Sequence, residues 1–178
     1  MDDNASKDEP IYGQFSTIPC IDGCCSLTLF PKEKKEFDGA FYPFEKRKAG
    51  VLVCCGDTSS KSDPETRGKV LIVQSYNNFW GIPKGRVESY DDGPKVCAER
   101  ELKEETGMEI ELKESDLFRI ILDNCYVYKI NVDSMDVVNH ENLPILESTG
   151  IGWVKPYCAL DFNINFLTRK VVMGIIFA

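Results

Sequence analysis

A short acidic segment, preceded by a loop rich in glycine and proline, constrains this 178-residue chain more strongly than any other feature. Residues 98–107 read AERELKEETG, and most of these residues are good helix formers. Pro94 suits the first turn of a helix, and Gly107 suits the position just past its end. We therefore predict a helix over residues 98–107. Side chains three and four positions apart share a helix face. The shared face carries three glutamates: Glu101, Glu104 and Glu105.

These glutamates repel one another, since like charges four residues apart destabilise an isolated helix. A divalent cation bound between the carboxylates would explain why the charges are concentrated there. Hard oxygen ligands of this kind suit Mg²⁺ or Mn²⁺. The alternative is a solvated acidic face, which is what most charged helix surfaces are. The helix alone does not decide between the two.

The loop before this helix, residues 80–85, reads WGIPKG, and its glycines and proline turn the backbone tightly. Such a loop can bring backbone groups and Lys84 close to a phosphate. The sequence then has Gly85, an acidic residue six positions later, and the run RELKEETGM at residues 100–108. Together these features resemble the Nudix box, which here covers residues 85–108.

The sequence departs from the Nudix pattern at one point. Asp91 stands where the family usually has glutamate, and Arg100 comes one residue late, which indicates a single-residue insertion in the loop. The helical part of the box is intact. The resemblance implies an α/β fold, namely the Nudix α/β/α sandwich with a mixed sheet. We expect one Nudix domain over residues 11–178, after a disordered tail of residues 1–10.

The resemblance also implies a metal-dependent pyrophosphohydrolase that uses Mg²⁺ or Mn²⁺. Family members often have a further acidic residue downstream of the box. Glu147, six residues before Trp153, is the candidate, and Glu141 is the alternative, with surface solvation possible for both. The expected metal ligands are Gly85 (through its carbonyl), Glu101, Glu104, Glu105 and Glu147. The expected general base is one of Glu104, Glu105 and Glu147. The remaining expected roles are substrate binding by Lys84 and Arg86 and orientation of the glutamates by Arg100.

A wider segment, from VLIVQS at residues 70–75 through WGIPKG to CAERE at residues 97–101, is similar to mRNA-decapping Nudix hydrolases of eukaryotic cells and large DNA viruses. That resemblance implies hydrolysis of the 7-methylguanosine cap, which releases the methylated nucleoside diphosphate and 5′-monophosphate RNA. The expected partner is capped RNA, with no role for DNA or a membrane. The net charge of −8 argues against a broad RNA-binding surface, although it allows a local basic groove.

Other substrates and roles remain open. Small nucleoside or dinucleoside polyphosphates and diphosphoinositol phosphates are the alternative substrates, and a non-catalytic Nudix binding module is a third interpretation. The basic segments at residues 31–37 and 44–48 are either solvated loops or a binding edge for a phosphate chain. Several aromatic residues could stack on a base, although strand aromatics usually belong to the core: Tyr76, Phe79, Trp80, Tyr126 and Tyr128.

Composition is that of an ordinary globular domain, with 43% hydrophobic and 28% charged residues. The acidic N-terminus is unlike a signal peptide, and no apolar run reaches the length of a membrane span, so we expect a cytoplasmic protein. The eight cysteines are then expected to be reduced. One interpretation is a zinc site in which Cys20, Cys24 or Cys25 joins the Cys54–Cys55 pair. No paired CxxC spacing supports it, and the only histidine is His140. We interpret Cys54, Cys55 and Cys97 more simply as core residues.

Apolar and β-branched runs predict strands at residues 27–30, 50–55, 69–75, 109–112, 117–122, 126–132 and 151–154. The second and third of these runs are expected to form a long antiparallel hairpin that is buried on both faces. Residues 161–176 are expected to form a final helix capped by Asp161 or Asn163.

Overall fold

A computed structural model describes residues 15–30, 47–59, 67–74, 78–138 and 146–177. Several predictions lie outside these residues. They are the tail predicted at residues 1–10, the basic residues at 31–37 and 44–46, most of the segment between the two predicted hairpin strands, Tyr76 and Glu141. Of the helices in the described residues, none is long and apolar enough to cross a bilayer.

One sheet holds the strands that the structure describes: β1 (Ser16–Pro19), β2 (Ser26–Leu29), β3 (Lys48–Cys55), β4 (Lys69–Gln74), β5 (Trp80–Gly81), β6 (Lys84–Arg86), β7 (Leu117–Ile121), β8 (Cys125–Val132) and β9 (Gly150–Val154). The α-helices are α1 (Gly93–Thr106), α2 (Pro156–Ala159) and α3 (Phe166–Ile176). Single 3₁₀ turns lie at Glu114–Asp116 and Met135–Val137.

The sheet is mixed, with the main order β1-β2-β9-β4-β3-β8-β7. β3 runs parallel to β8, and the other pairs of named strands are antiparallel. β3 and β4 form the predicted antiparallel pair, but the prediction of a long hairpin is wrong, because only Cys54 and Cys55 of β3 pair with β4. β6 occupies the edge of β3 over Lys48–Gly50, while β4 pairs along most of its length with β9.

Both faces of the central strands are buried, as their apolar runs predicted. Leu52, Val70 and Ile72 belong to the core beneath α2 and α3. Val51, Leu71 and other alternate residues belong to the core beneath α1. Because successive strand residues face opposite sides, continuous apolar runs can supply both cores. The predicted α/β/α sandwich is confirmed by this three-layer arrangement.

Helix α1 begins at Gly93, five positions before the start predicted from residues 98–107. Pro94 occupies the first turn and Gly107 ends the helix with φ of 76°, as predicted. The earlier start involves weaker helix formers, Val96 and Cys97 among them. Cys97 and Ala98 are fully buried against the sheet, so tertiary packing extends the helix beyond its local propensity.

The strand predicted at residues 109–112 is wrong. Its backbone groups bond to side chains of α1, because Leu112 N–H donates to Glu99 Oε1 at 2.9 Å and Lys95 Nζ donates to Leu112 O at 3.2 Å. The segment therefore lies along the helix as irregular backbone and satisfies its polar groups there.

The predicted C-terminal helix starts later than residue 161, at Phe166, and neither Asp161 nor Asn163 caps it. Helix α3 starts after Asn165, whose side chain accepts a hydrogen bond from Thr168 N–H at 2.9 Å. The residues before it are extended because they pair with the loop at Trp80. Trp80 N–H donates to Asn163 O, and Asn165 N–H donates to Trp80 O, each at 2.8 Å.

Candidate active site

The loop at residues 80–86 is held between α1 and the N-terminal end of α3. Ile82 N–H donates to Thr168 Oγ1 at 2.9 Å. On the other side, a Cβ at Gly85 would collide with the carboxyl group of Glu101. Only glycine therefore allows the loop backbone to approach this carboxylate so closely. The sequence expectation that the loop turns tightly against the acidic helix agrees with this contact.

Arg100 is the centre of the hydrogen-bond network. Its Nε and Nη2 each donate to Asp91 at 2.9 Å, forming a bidentate pair. Its Nη1 donates to Glu101 Oε1 at 2.9 Å and to Glu104 Oε2 at 3.1 Å. Arg100 also donates to the carbonyl of Arg86 at 3.1 Å. One guanidinium thus fixes two glutamates relative to the loop, which is the geometry that an orienting residue needs.

Asp91 explains the departure from the box pattern. Its side chain is 2% exposed, and it also accepts from Glu88 N–H at 2.8 Å. The hydrogen bonds from Arg100 hold the pKa of Asp91 below its ordinary value. Sequence reasoning did not assign this role, although the acidic residue in the inserted loop was the available signal. Asp91 acts as the anchor of Arg100.

Two of the predicted glutamates are buried. Glu101 is 9% exposed and Glu105 is 6% exposed. Burial, with Glu104 and Glu147 nearby, raises the pKa of Glu101 to about 7 although Arg100 opposes the shift. Burial and then the charge of Glu101 raise the pKa of Glu105 well above its ordinary value, and Lys84 opposes that shift. The site therefore concentrates more negative charge than its hydrogen bonds offset.

Glu147 approaches these residues from a different part of the chain. Its backbone N–H donates to Glu104 O at 3.1 Å, and Ser148 Oγ donates to Glu105 O at 2.7 Å. The side chain of Glu147 is exposed. Its charge raises the pKa of both Glu101 and Glu105. The structure thus brings the downstream candidate to the acidic face of α1.

The chemistry of the donor set fits a hard divalent cation. Glu105 Oε2 is buried and has no hydrogen-bond partner among the described residues, which is costly for a carboxylate without a cation. The glutamate oxygens do not form a closed cage, because Arg100 lies between Glu101 and Glu104. Mg²⁺ keeps several waters and takes further ligands from substrate phosphates, so it does not require a closed protein cage.

A basic group lies on the face of β3 and β6 opposite the acidic cluster, because Gly85 faces Glu101 and its neighbours in the strand face the other side. Lys48 pairs with Arg86, and Gly50 pairs with Lys84, across β3 and β6. Alternate strand residues share a face, so the side chains of Lys48, Lys84 and Arg86 share one side of the sheet. Burial and then the charges of Lys84 and Arg86 lower the pKa of Lys48. Lys48 completes a basic group with the two predicted substrate-binding residues.

A cavity of about 490 Å³ lies elsewhere, lined by residues that include Asp57, Arg119 and Lys129. It adjoins the residues after the C-terminal end of β3, whereas Lys48 lies at the N-terminal end of that strand. The cavity is therefore separate from the glutamate cluster, and we assign it no part in the site.

The structure does not bring Cys54 and Cys55 to the N-terminal cysteines, so it does not form the zinc site that the sequence spacing had already disfavoured. Cys54 and Cys97 are buried core residues as expected, while Cys55 is partly exposed. The residue that meets Cys20, Cys24 and Cys25 is Cys158. Sequence spacing gave no signal for this contact, because β2–β9 pairing creates it.

A model of the NUDIX domain family matches residues 61–136 of the chain. The protein "Putative hydrolase 111R" of Invertebrate iridescent virus 3 is 53% identical over 161 residues, covering 89% of this chain and 89% of that protein. The chain belongs to the Nudix family. It is therefore a Nudix-type pyrophosphatase, which acts on acid anhydrides in phosphorus-containing substrates, and enzymes of this family generally use divalent metal ions.

Solved structures agree on the Nudix fold. An Ap4A hydrolase from C. elegans has a TM-score of 0.51 at 18% identity, covering 72% of this chain and 93% of that one. MutT, from work on Aliivibrio salmonicida and Vibrio cholerae, has a TM-score of 0.51 at 20% identity, covering 75% of this chain and 98% of that one. At these identities the likeness establishes the fold, and the substrate has to be argued from the chain itself.

Proposed function

We propose that this Nudix enzyme hydrolyses the triphosphate bridge of capped RNA, using Mg²⁺ or Mn²⁺ held by the acidic face of α1. The supporting observation is the buried Glu105 Oε2, which has no hydrogen-bond partner in the described part of the chain and lies near further carboxylates. The proposed ligands are Glu101, Glu104, Glu105, Glu147 and the carbonyl of Gly85. A bound divalent cation supplies neutralisation of the phosphate charge that the reaction develops.

The basic group on β3 and β6 binds the polyphosphate in this proposal. Lys48, Lys84 and Arg86 extend from the face of these strands opposite α1, and the charge of Lys84 acts on Glu105. Charge-assisted hydrogen bonds from these side chains would hold phosphate oxygens. In this proposal these side chains would hold phosphate oxygens of the bridge, and the glutamates would hold the cation near the bond that is cut.

Glu147 is the best candidate for the general base. Glu101 and Glu105 are buried, and Glu104 is held by Arg100 at 3.1 Å. The exposed Glu147 side chain lies on the loop that contacts Glu104, where it could accept a proton from an attacking water. A carboxylate oxygen there accepts the proton as water attacks phosphorus, a contribution of about 10²–10⁴-fold in rate. Because Glu147 is also a proposed ligand, Glu147→Gln should lower kcat by this amount and weaken cation-dependent stabilisation in part.

Capped RNA is favoured by the similarity of residues 70–101 to decapping hydrolases and by an exposed aromatic next to the loop. Phe79 is 43% exposed and directly precedes Trp80. An exposed ring can stack on a base. The reaction would place the enzyme in the cytoplasm. The net charge of −8 favours the second candidate, a small nucleoside or dinucleoside polyphosphate, because such a substrate needs no extended basic surface.

One assay separates these substrates. The enzyme is incubated with Mg²⁺ or Mn²⁺ and RNA labelled in its cap, and free cap analogue and dinucleoside polyphosphates are added as competitors. Release of the methylated nucleoside diphosphate, resistant to excess competitor, supports decapping. Rapid cutting of the small molecules with intact RNA caps would instead assign the second candidate. Glu111→Gln changes an exposed glutamate outside the cluster, so it is the matched control for Glu147→Gln.

A further inference from the structure

Four cysteine sulfur atoms form a compact group on the opposite side of the sheet from α1. The sulfurs of Cys20, Cys24, Cys25 and Cys158 all lie within 4.8 Å of one another. Cys24 Sγ lies 3.7 Å from Cys20 Sγ, 3.7 Å from Cys25 Sγ and 3.5 Å from Cys158 Sγ. Three of the four cysteines are buried, and Cys24 is exposed. None of them is in a disulfide.

The fold places these residues together through strand pairing. Cys20–Cys25 form the turn between β1 and β2, closed by Cys20 N–H donating to Cys25 O at 2.8 Å. Ser26 of β2 pairs with Trp153 of β9, so the turn lies beside the end of β9. Helix α2 starts there and carries Cys158. The cluster therefore joins two segments that are 134 residues apart in sequence.

The spacing of the sulfurs matches one tetrahedral ion. With Zn–S bonds of about 2.3 Å, the sulfurs of a four-thiolate site lie about 3.8 Å apart. The measured distances of 3.5 and 3.7 Å are close to this edge length. They are far longer than the disulfide bond length of about 2.05 Å. Four soft sulfur ligands in this geometry are typical of zinc.

A backbone N–H group beside the cluster donates a hydrogen bond to one of its sulfur atoms. Lys155 N–H donates to Cys25 Sγ at 3.4 Å. Hydrogen bonds of this type orient a thiolate and offset its charge once a metal is bound. Ile21 N–H donates to Asp161 Oδ2 at 3.1 Å, which ties the same turn to the segment after α2.

We propose that Cys20, Cys24, Cys25 and Cys158 bind one Zn²⁺ ion in a structural site that is separate from the catalytic cations. Binding displaces the thiol protons to solvent and forms four Zn–S bonds with no change of oxidation state. All four positions are filled by protein sulfur, so the ion has no open position for substrate. It links the β1–β2 turn to the C-terminal segment, whose helix α3 supports the loop at Trp80.

The first test is metal analysis of the full-length enzyme, purified under reducing conditions without chelator and dialysed against metal-free buffer. Elemental analysis should give about one zinc per chain, and zinc-edge X-ray absorption should give four sulfur ligands at about 2.3 Å. Protein that remains folded without zinc and takes up none when zinc is supplied would overturn the proposal. Iron in place of zinc, or nitrogen or oxygen in the ligand shell, would also overturn it.

Variants identify the ligands. Cys24→Ser and Cys158→Ser should lose zinc or bind it at least tenfold more weakly in competition with a chromophoric chelator. Cys55→Ser removes a partly exposed cysteine outside the group and should keep one zinc per chain. Glu105→Gln should also keep it, which separates this ion from a catalytic cation. Equal zinc retention in Cys24→Ser, Cys158→Ser and Cys55→Ser would contradict the assignment. A measurement that does not depend on the folding of a variant uses the wild type with Co²⁺ in place of zinc, which should show thiolate-to-cobalt charge transfer.

Discussion

Replacing Glu105 by glutamine should stabilise the cation-free enzyme and weaken the stabilisation that a cation provides. Glu105 is 6% exposed, and its Oε2 has no hydrogen-bond partner among the described residues. Its pKa is raised well above the ordinary value of 4.5 by burial and then by Glu101. An amide of the same shape carries no charge, so it costs less to bury than the carboxylate does.

The magnitude follows from the extra cost of an unsatisfied buried group when it is charged, because glutamine leaves the same position without a partner but removes the charge. Leaving such a group without a partner costs about 1–3 kcal/mol, and more when it is charged. We therefore expect Glu105→Gln to raise the free energy of unfolding by about 1–3 kcal/mol in EDTA at pH 8. For a domain of this size, each kcal/mol shifts Tm by roughly 2–4 °C. With saturating Mn²⁺ the order should reverse, because the wild type gains more from binding.

The difference between variant and wild type should depend on pH with a defined sign. A carboxyl group whose pKa is raised by folding contributes its full stability below the unfolded value of 4.5, and that contribution is lost as pH rises toward the folded value. Urea unfolding of the variant and the wild type in EDTA at pH 5 and pH 8 measures this difference in the free energy of unfolding.

The advantage of Glu105→Gln should therefore grow from pH 5 to pH 8. Glu111→Gln, at an exposed position, should differ from wild type by less than about 0.5 kcal/mol under all conditions. If Glu105→Gln is destabilised in EDTA at pH 8, or if Mn²⁺ stabilises it as much as the wild type, the reasoning about a charged cation-binding oxygen is wrong.

Three further substitutions test the elements that support the site. Asp91→Asn should lower the free energy of unfolding, measured in urea, by about 1–3 kcal/mol because it breaks the bidentate pair with Arg100. Its control Asp92→Asn, at an exposed position, should leave that free energy nearly unchanged. Gly85→Ala should lower turnover by at least about tenfold, since its Cβ would displace the Glu101 carboxyl group; unchanged kinetics would contradict this. Thr168→Val should lower the free energy of unfolding by about 1–3 kcal/mol, because Ile82 N–H loses its acceptor. An unchanged Tm in calorimetry would contradict this expectation.

Features that depend on local spacing were readable from the sequence. The convergence of Glu101, Glu104 and Glu105 follows from helical periodicity, and Gly107 ends the helix for a local conformational reason. The contact between Arg100 and Glu104 is also a local one, since the two are four residues apart. These elements are therefore specified by neighbours in the chain.

Features that depend on distant contacts were missed or misassigned. Cys158 joins the N-terminal cysteines only because β2 pairs with β9. Asn165 caps α3 because the preceding residues pair with Trp80, whereas helix propensity alone suggested an earlier cap. The residues at 109–112 are apolar enough for a strand, but side chains of α1 satisfy their backbone groups instead. Tertiary contacts override local preference in each case.

The most direct test of the central claim is the turnover of Glu104→Gln and Glu105→Gln at saturating Mg²⁺. The substrate should be whichever the wild type cuts fastest among capped RNA and dinucleoside polyphosphates, and folding should be checked by circular dichroism. The account predicts that each variant loses at least about a hundredfold in kcat. Folded variants that both retain turnover within about tenfold of wild type would contradict the claim that these carboxylates perform the chemistry.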